Sequence, residues 1–197
     1  MIGIDMGGTN VKLADVQGAS VRQSASIPTP TGQSFAFVLD RIAAAVLTLD
    51  SSPSELGMAI PGEIGRDGKV WRLPNVPGFD GVPIAAELSR RTGARVTVEN
   101  DGTTAAYAEA LFGHGQTHSS FLVVTLGTGI GGGLVVDRRL VRGSHGFAAE
   151  IGHVTVNTAP DGRLCSCGNR GCLEAYAGTH GLLARFARGA DVIEADL

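Results

Sequence analysis

Twice along this chain a short apolar strand runs into a glycine-rich loop and comes straight back out as a second strand. The first instance is Ile2-Gly3-Ile4-Asp5, then Met6-Gly7-Gly8-Thr9-Asn10, then apolar residues over 11–16. The second is the apolar run 121–126, then Gly127-Thr128-Gly129, then 130–136. A third strand follows each time, over 21–27 after the Gln17-Gly18 turn and over 139–141 after Asp137-Arg138. Beyond the first triplet, apolar residues at 35, 38, 39, 42, 46 and 49 mark one face of a helix. A strand over 56–60 ends at Pro61-Gly62, and Arg66-Asp67-Gly68-Lys69 reads as the turn of a minor inserted hairpin. Pro83 suits the first turn of a helix ending near Gly93; a strand over 95–98 and an Ala-rich helix over 102–112, stopped by Gly113, follow. Residues 1–113 therefore read β-β-β-α-β-α-β-α. Residues 114–197 begin the same way, then add a short strand over 153–156 and helices over 172–177 and 179–188. They are too few to repeat the whole of the first unit. The expectation is an α/β fold of two related lobes, 1–113 and 114–197, the second a fragment or an unfinished repeat.

Composition narrows the function. Of 197 residues 29 are glycine, about twice the usual share of ~7%. They follow no three-residue period, which excludes collagen, and they gather in loops where backbone must approach something closely. The net charge is −3 with no basic run, which argues against nucleic acid as a partner. No apolar run is long enough to span a membrane, and the N-terminus has neither the charged nor the long apolar region of a signal peptide. The three cysteines all lie between Cys165 and Cys172. That odd, clustered set fits a metal site in a reducing cytoplasm better than a disulfide framework.

Both glycine loops have phosphate-binding chemistry. In the first, Gly7 and Gly8 let backbone N–H groups turn inward on an anion, Thr9 adds a hydroxyl, and Asp5 stands where it can hold nucleotide-bound Mg²⁺ through water. The second contains Gly127-x-Gly129-x-x-Gly132, the spacing of a dinucleotide site. Such a site needs a helix next. Here a hairpin follows, so NAD is rejected and a phosphate-contacting turn is kept. No Gly-x₄-Gly-Lys-Ser/Thr loop occurs.

Glu99-Asn100-Asp101-Gly102 ends a strand and opens a helix. Asp or Asn there is often only a helix cap, but a strand end is also the usual place for a site in α/β folds. Asp101 is the candidate general base, because phosphoryl transfer to an alcohol needs a carboxylate to accept the hydroxyl proton. Glu150 and His153 place a carboxylate and an imidazole close together. Downstream stands Cys165-Ser-Cys167-Gly-Asn-Arg-Gly-Cys172-Leu-Glu174. Three thiols on glycine-rich backbone can wrap one tetrahedral Zn²⁺, with His153 as the nearest upstream fourth ligand. A closed four-ligand site is structural, and it would pin the His153 ring with one nitrogen left for a substrate.

Together these motifs resemble the ROK family of sugar kinases and sugar-responsive repressors, and its glucokinase branch in particular. Asp5-x-Gly7-Gly8-Thr9-x-x-Lys12 is similar to the first phosphate motif, and Leu126-Gly127-Thr128-Gly129-x-Gly131-Gly132-Gly133 to the second. Glu150-x-Gly152-His153 and Cys165-x-Cys167-Gly168-x-x-Gly171-Cys172-x-Glu174 are similar to the family signature. The resemblance implies an actin-like (ribonuclease-H-like) ATPase fold with a cleft between two lobes. It implies sugar binding by Gly62, Asn75, Asn100, Asp101, Glu150, His153 and Glu174, with Asp101 activating the 6-hydroxyl. ATP with Mg²⁺ would be met by Asp5, Gly7, Gly8, Thr9, Lys12, Thr128 and Gly129. A structural zinc would be held by His153, Cys165, Cys167 and Cys172, in a cytoplasmic dimer or tetramer. The family's adenosine-binding segment and closing C-terminal helix have no visible counterpart here. The residues leave open the choice among glucose, mannose, fructose and N-acetylmannosamine, and between ATP and polyphosphate. A sensor rather than a kinase is the rival reading, and a truncated, inactive chain a third.

Overall fold

In the opening strands every second side chain is apolar and buried. These are Ile2, Ile4 and Met6 in β1 (Ile2–Met6), then Val11 and Leu13 in β2 (Asn10–Gln17). That alternation gives the sheet one core-facing side. The structure, a computed structural model, describes residues 1–18, 20–65, 67–73, 76 and 78–186. The outer strand β3 (Ser20–Pro28) is polar and largely exposed, as an edge strand should be. With β4 (Glu55–Ile60) and β7 (Arg95–Asn100) these strands form one sheet in the order β3-β2-β1-β4-β7. β1 pairs antiparallel with β2 and parallel with β4, and β4 pairs parallel with β7.

Two helices supply the parallel crossovers. α1 (Phe35–Leu49) has the predicted bounds, with Ser34 as its cap accepting from the Phe37 N–H at 3.3 Å. It buries Val38, Leu39, Ile42 and Val46 against the sheet. α2 (Ile84–Thr92) buries Ile84 and Leu88 and ends at Gly93 in the left-handed conformation (φ 74°). Between β4 and α2 lies the inserted hairpin of β5 (Glu63–Ile64) and β6 (Val70–Arg72). Gly68 of its predicted turn donates to the Gly65 carbonyl at 2.9 Å, while Arg66 lies outside the described residues. The contiguous hydrophobic core is built from residues of this first unit, Ile2 through Ala94.

The second unit carries a three-stranded sheet, β10-β9-β8, of β8 (Phe121–Leu126), β9 (Ile130–Val136) and β10 (Arg139–Val141). Asp137 and Arg138 turn it at φ 49° and 60°, the double left-handed geometry that matches hairpin twist. One side of β8 leaves Leu122, Val124 and Leu126 exposed. The other packs on α3 (Asp101–Phe112), which lies between the two sheets. Glycines set that approach. A Cβ on Gly102 would stand 2.6 Å from the Gly132 carbonyl oxygen, and one on Gly133 would stand 2.5 Å from both Ala106 Cβ and the Gly102 carbonyl oxygen. Gly102→Ala is therefore expected to cost about 1–3 kcal/mol in a urea unfolding titration, because the atoms in the way are backbone.

The remaining segment is mostly loop. The expected strand over 153–156 is not formed. Ile151–His153 is a single 3₁₀ turn, and Thr155 keeps only an isolated bridge to Cys172. The pairing extends no further than the bonds flanking that bridge, from the Val156 N–H to the Gly171 carbonyl and from the Leu173 N–H to the Val154 carbonyl, because the chain is wound into the 3₁₀ turn on one side and the partner turns at Gly171 (φ 79°) on the other. The expected helix over 172–177 shortens to α4 (Glu174–Ala177), since Cys172 is held in that bridge. α5 (Thr179–Phe186) matches the next expectation, whose end at Arg188 lies outside the described residues. Among the described residues no helix is long and apolar enough to cross a membrane.

Candidate active site and metal centre

The site starts at the end of β7, where the chain leaves the sheet and enters α3. Asn100 is the cap. Its Oδ1 accepts from the Thr103 N–H at 2.9 Å, and its Nδ2 donates to the Gly62 carbonyl at 3.2 Å. Capping by Asn100 leaves Asp101, the next residue, free of that task. One Asp101 oxygen accepts from the Gly102 N–H at 2.8 Å. Burial pushes the Asp101 carboxyl above the usual aspartate range; the Gly102 N–H partly opposes this, and the nearby Asp5 carboxylate adds to the rise. The end of β1 and the start of α3 thus converge.

A second carboxylate, Glu150, sits on the loop after β10. Its carboxyl is also raised by burial. His153 pulls it down, while Glu63, Asp101 and Glu174 push it further up. Three further acids and one imidazole therefore gather around Glu150. Glu63 was not among the residues singled out from sequence. Its signal was there: it follows Pro61-Gly62 at a strand end, as Asp101 follows Glu99-Asn100. The hairpin that turns it inward was read only as a minor insertion. The loop of Glu150 is tied to the first unit by Arg142, whose Nε donates to Glu99 Oε2 at 2.7 Å.

Glu174 joins the region to the second glycine loop. Its Oε2 accepts from the Ile130 N–H at 2.9 Å and its Oε1 from the Ser166 hydroxyl at 3.1 Å. Gly129 lies against this carboxylate so closely that a Cβ would be driven into it. Gly129→Ala is expected to push the Glu174 carboxylate off the Ile130 N–H, read as faster hydrogen exchange at that amide. The loop closes with a bond from the Gly127 N–H to the Gly129 carbonyl at 2.9 Å. In the first loop the Gly7 N–H donates to the Asn10 carbonyl at 2.9 Å, and Thr29 holds the loop through Gly7 and Thr9. Among the described residues the N–H groups of Gly8, Thr9, Thr128 and Gly129 have no protein acceptor. Backbone donors of this kind are what an anion takes. Lys12 pairs in register with Asp5, on the side of the sheet away from α1. Both line a recess of about 1020 Å³ there, so Lys12 stands beside Asp5 and off the loop itself. Asn75 lies outside the described residues.

His153, Cys165, Cys167 and Cys172 each bring one ligand atom into a group whose members all lie within 4.8 Å of one another. Cys167 Sγ and Cys172 Sγ are 3.8 Å apart, and Cys165 Sγ is 3.6 Å from His153 Nδ1. Thiolates about 2.3 Å from a tetrahedral Zn²⁺ stand about 3.8 Å from each other, so the donor set fits that ion in kind and spacing. The Cys165 and Cys172 thiols are buried. Burial, with Cys167 and Cys165 adding, pushes the Cys172 thiol up to about 12. An ionised Cys172 thiol therefore needs a cation beside it. The loop is shaped for the purpose: Gly168 and Gly171 adopt φ 90° and 79°, and a side chain on Gly171 would collide with the Asn157 carbonyl. With Nδ1 turned to the cysteines, His153 Nε2 is left for another partner.

A glucokinase from Thermotoga maritima is 38% identical over 181 residues, covering 90% of this chain and 56% of its own length. The crystal structure of a ROK family glucokinase from Streptomyces griseus, in complex with glucose and AMPPNP, superposes with a TM-score of 0.83. It is 36% identical, with 95% of this chain and 59% of that one covered. A xylose repressor from Bacillus subtilis is 35% identical over 149 residues, 74% of this chain and 38% of its own. The chain thus spans little more than half the length of the kinases it matches. Its α/β fold is that of the ROK sugar kinases, an actin-like ATPase fold with only part of the second lobe represented. The ROK family model matches residues 1–196, and with the duplicated strand triplets and the His/Cys₃ loop in place, the chain belongs to the ROK family.

Proposed function

We propose that this chain is the sugar- and phosphate-contacting part of an ATP-dependent hexose kinase, with glucose as its sugar and the 6-hydroxyl as the acceptor. The observation that carries this reading is the placement of Asp101. It is a half-buried carboxylate at a strand end, close to Asp5, which leads into the first loop of open backbone N–H groups, and near Glu150, around which Glu63 and Glu174 also gather. The cleft lies between the lobe of residues 1–113 and the partial lobe of residues 114–197. Gly62, Asn75, Asn100, Glu150, His153 and Glu174 hold the sugar through its hydroxyls. Asp101 accepts the proton of the attacking hydroxyl. The backbone donors of Gly7, Gly8, Thr9, Thr128 and Gly129, with Lys12 nearby, neutralise the charge on the transferring phosphoryl group. Mg²⁺, entering with ATP, supplies further charge neutralisation near Asp5. Zn²⁺ on His153, Cys165, Cys167 and Cys172 is structural, and we assign the protein to the cytoplasm as a homo-oligomer.

The test is formation of glucose 6-phosphate by the 197-residue chain with Mg-ATP, with polyphosphate as the second donor. Turnover is the expected result. A second reading, a sugar-responsive regulator, draws on the 35% identity to a xylose repressor. It predicts sugar binding in calorimetry without turnover and without any effect of nucleotide. A folded protein that binds no sugar contradicts both readings.

A further inference from the structure

The chain has a single tryptophan, Trp71, and it is 60% exposed. It lies on β6 of the inserted hairpin. The β5–β6 register shifts there: Glu63 pairs with Arg72 and Ile64 with Val70, which leaves Trp71 as the extra residue of a bulge. Bulges re-aim side chains. Here the indole is turned toward the loop that carries Glu150, where it meets Phe147 edge to face, with centroids 5.5 Å apart and planes at 71°. Gly65 makes room for this, since a Cβ there would stand 2.5 Å from the indole Nε1. The neighbouring Arg72 anchors the hairpin by donating to the Ser166 carbonyl at 3.0 Å, and the Ser166 hydroxyl in turn donates to Glu174.

The aromatic pair is thus carried by the same two chain segments as Glu63 and Glu150. Glu63 faces Arg72 across the hairpin, and Phe147 precedes Glu150 on the same loop. Neither ring belongs to the contiguous core, and the edge-to-face contact leaves most of the indole open. Rigid aromatic surface beside carboxylates is the chemistry that recognises sugar rings, with carboxylates taking hydroxyls and an aromatic face taking the apolar C–H face. We propose that Trp71 and Phe147 form a second carbohydrate subsite at the rim, taking the second ring of a glycoside whose first ring is held by Glu150 and its neighbours. This rests on the sugar-binding reading of the acidic site.

The test is calorimetric titration of the 197-residue chain with glucose, cellobiose, maltose and phenyl β-D-glucoside, alongside the emission of Trp71, the only tryptophan. At least one two-ring ligand is expected to bind about tenfold more tightly than glucose and to change Trp71 emission more than glucose does. In W71A and F147A that ratio falls to near one. W71F, which keeps a ring, recovers part of it, and circular dichroism confirms that the variants fold. Equal affinity for glucose and all three larger ligands overturns the subsite alone. So does an advantage that survives in W71A, or a W71A variant that loses glucose and glycoside equally, which would make the pair a simple clasp between hairpin and loop. Failure of the wild-type chain to bind any sugar overturns the sugar-site reading and the subsite with it.

Discussion

Asp101→Asn is expected to lower the rate of sugar phosphorylation by about 10²–10⁴-fold, the usual contribution of a positioned general base. The amide keeps the size of the side chain and can still accept from the Gly102 N–H, so sugar affinity should change little. The loss belongs in kcat, not in KM. Stability should move the other way. Burial raises the folded-state pKa of Asp101, so between its unfolded and folded values the native state binds more protons than the unfolded state. In that window stability falls as pH rises, and above it the cost of holding a half-buried charge is present in full. The neutral amide removes this cost, and the Tm of Asp101→Asn at pH 7 should equal or exceed that of the wild type. The wild-type rate should also fall on the acid side at a higher pH than the ~3.9 of an exposed aspartate. A variant that keeps the wild-type rate removes Asp101 from the role of base. A variant that loses both rate and Tm makes its effect structural.

The order of elements in the first unit was legible because each strand there carries its own periodicity. Strands β1 and β2 alternate cleanly, and α1 shows one apolar face from Phe35 to Leu49. Asp101 could be picked out from its place at a strand end and Glu150 from its spacing to His153, whereas Glu174 entered only through the resemblance of the cysteine motif to the ROK signature. Glu63 was missed for the converse reason. Its strand has two residues, and what turns it inward is a bulge set by pairing with Arg72 and Val70, a long-range fact with no local pattern. The same holds for the Ile130 N–H. A glycine loop suggests that its amides are free for an anion, yet Glu174, far along the chain, takes this one. The expected strand over 153–156 pairs only over a single bridge with the cysteine loop, where the Val156 N–H donates to the Gly171 carbonyl at 2.8 Å and the Leu173 N–H to the Val154 carbonyl at 2.9 Å, and a 3₁₀ turn at Ile151–His153 takes up its start.

Removal of the metal should have the second large effect. Mass spectrometry of the purified protein is expected to show one Zn²⁺ per chain, and Cys172→Ser is expected to abolish it. Its Tm should fall by roughly 10 °C, from a binding free energy of several kcal/mol and a few degrees per kcal/mol in a domain of this size. The reasoning starts from how little else holds this segment. Between Ile151 and Leu173 there is one 3₁₀ turn and two isolated bridges, and of the buried apolar residues only Cys165 and Cys172 lie in it. Cys172 is fully buried and Cys165 nearly so. A serine in place of Cys172 leaves a buried hydroxyl and loses the ion that would join the four donors. The damage should not stop at stability. His153 and Glu174 are both positioned by this loop, His153 through Nδ1 beside Cys165 and Glu174 through the Ser166 hydroxyl. Sugar affinity should therefore fall with zinc content, although no cysteine touches the sugar in this reading. Chelation of the wild-type protein should reproduce both losses and added Zn²⁺ should reverse them, which separates loss of the metal from damage done by the substitution. If the purified chain carries no zinc, and chelator changes neither its Tm nor its sugar affinity, then the His/Cys₃ group is only a packed cluster of thiols and the loop is held by its glycine turns and bridges alone.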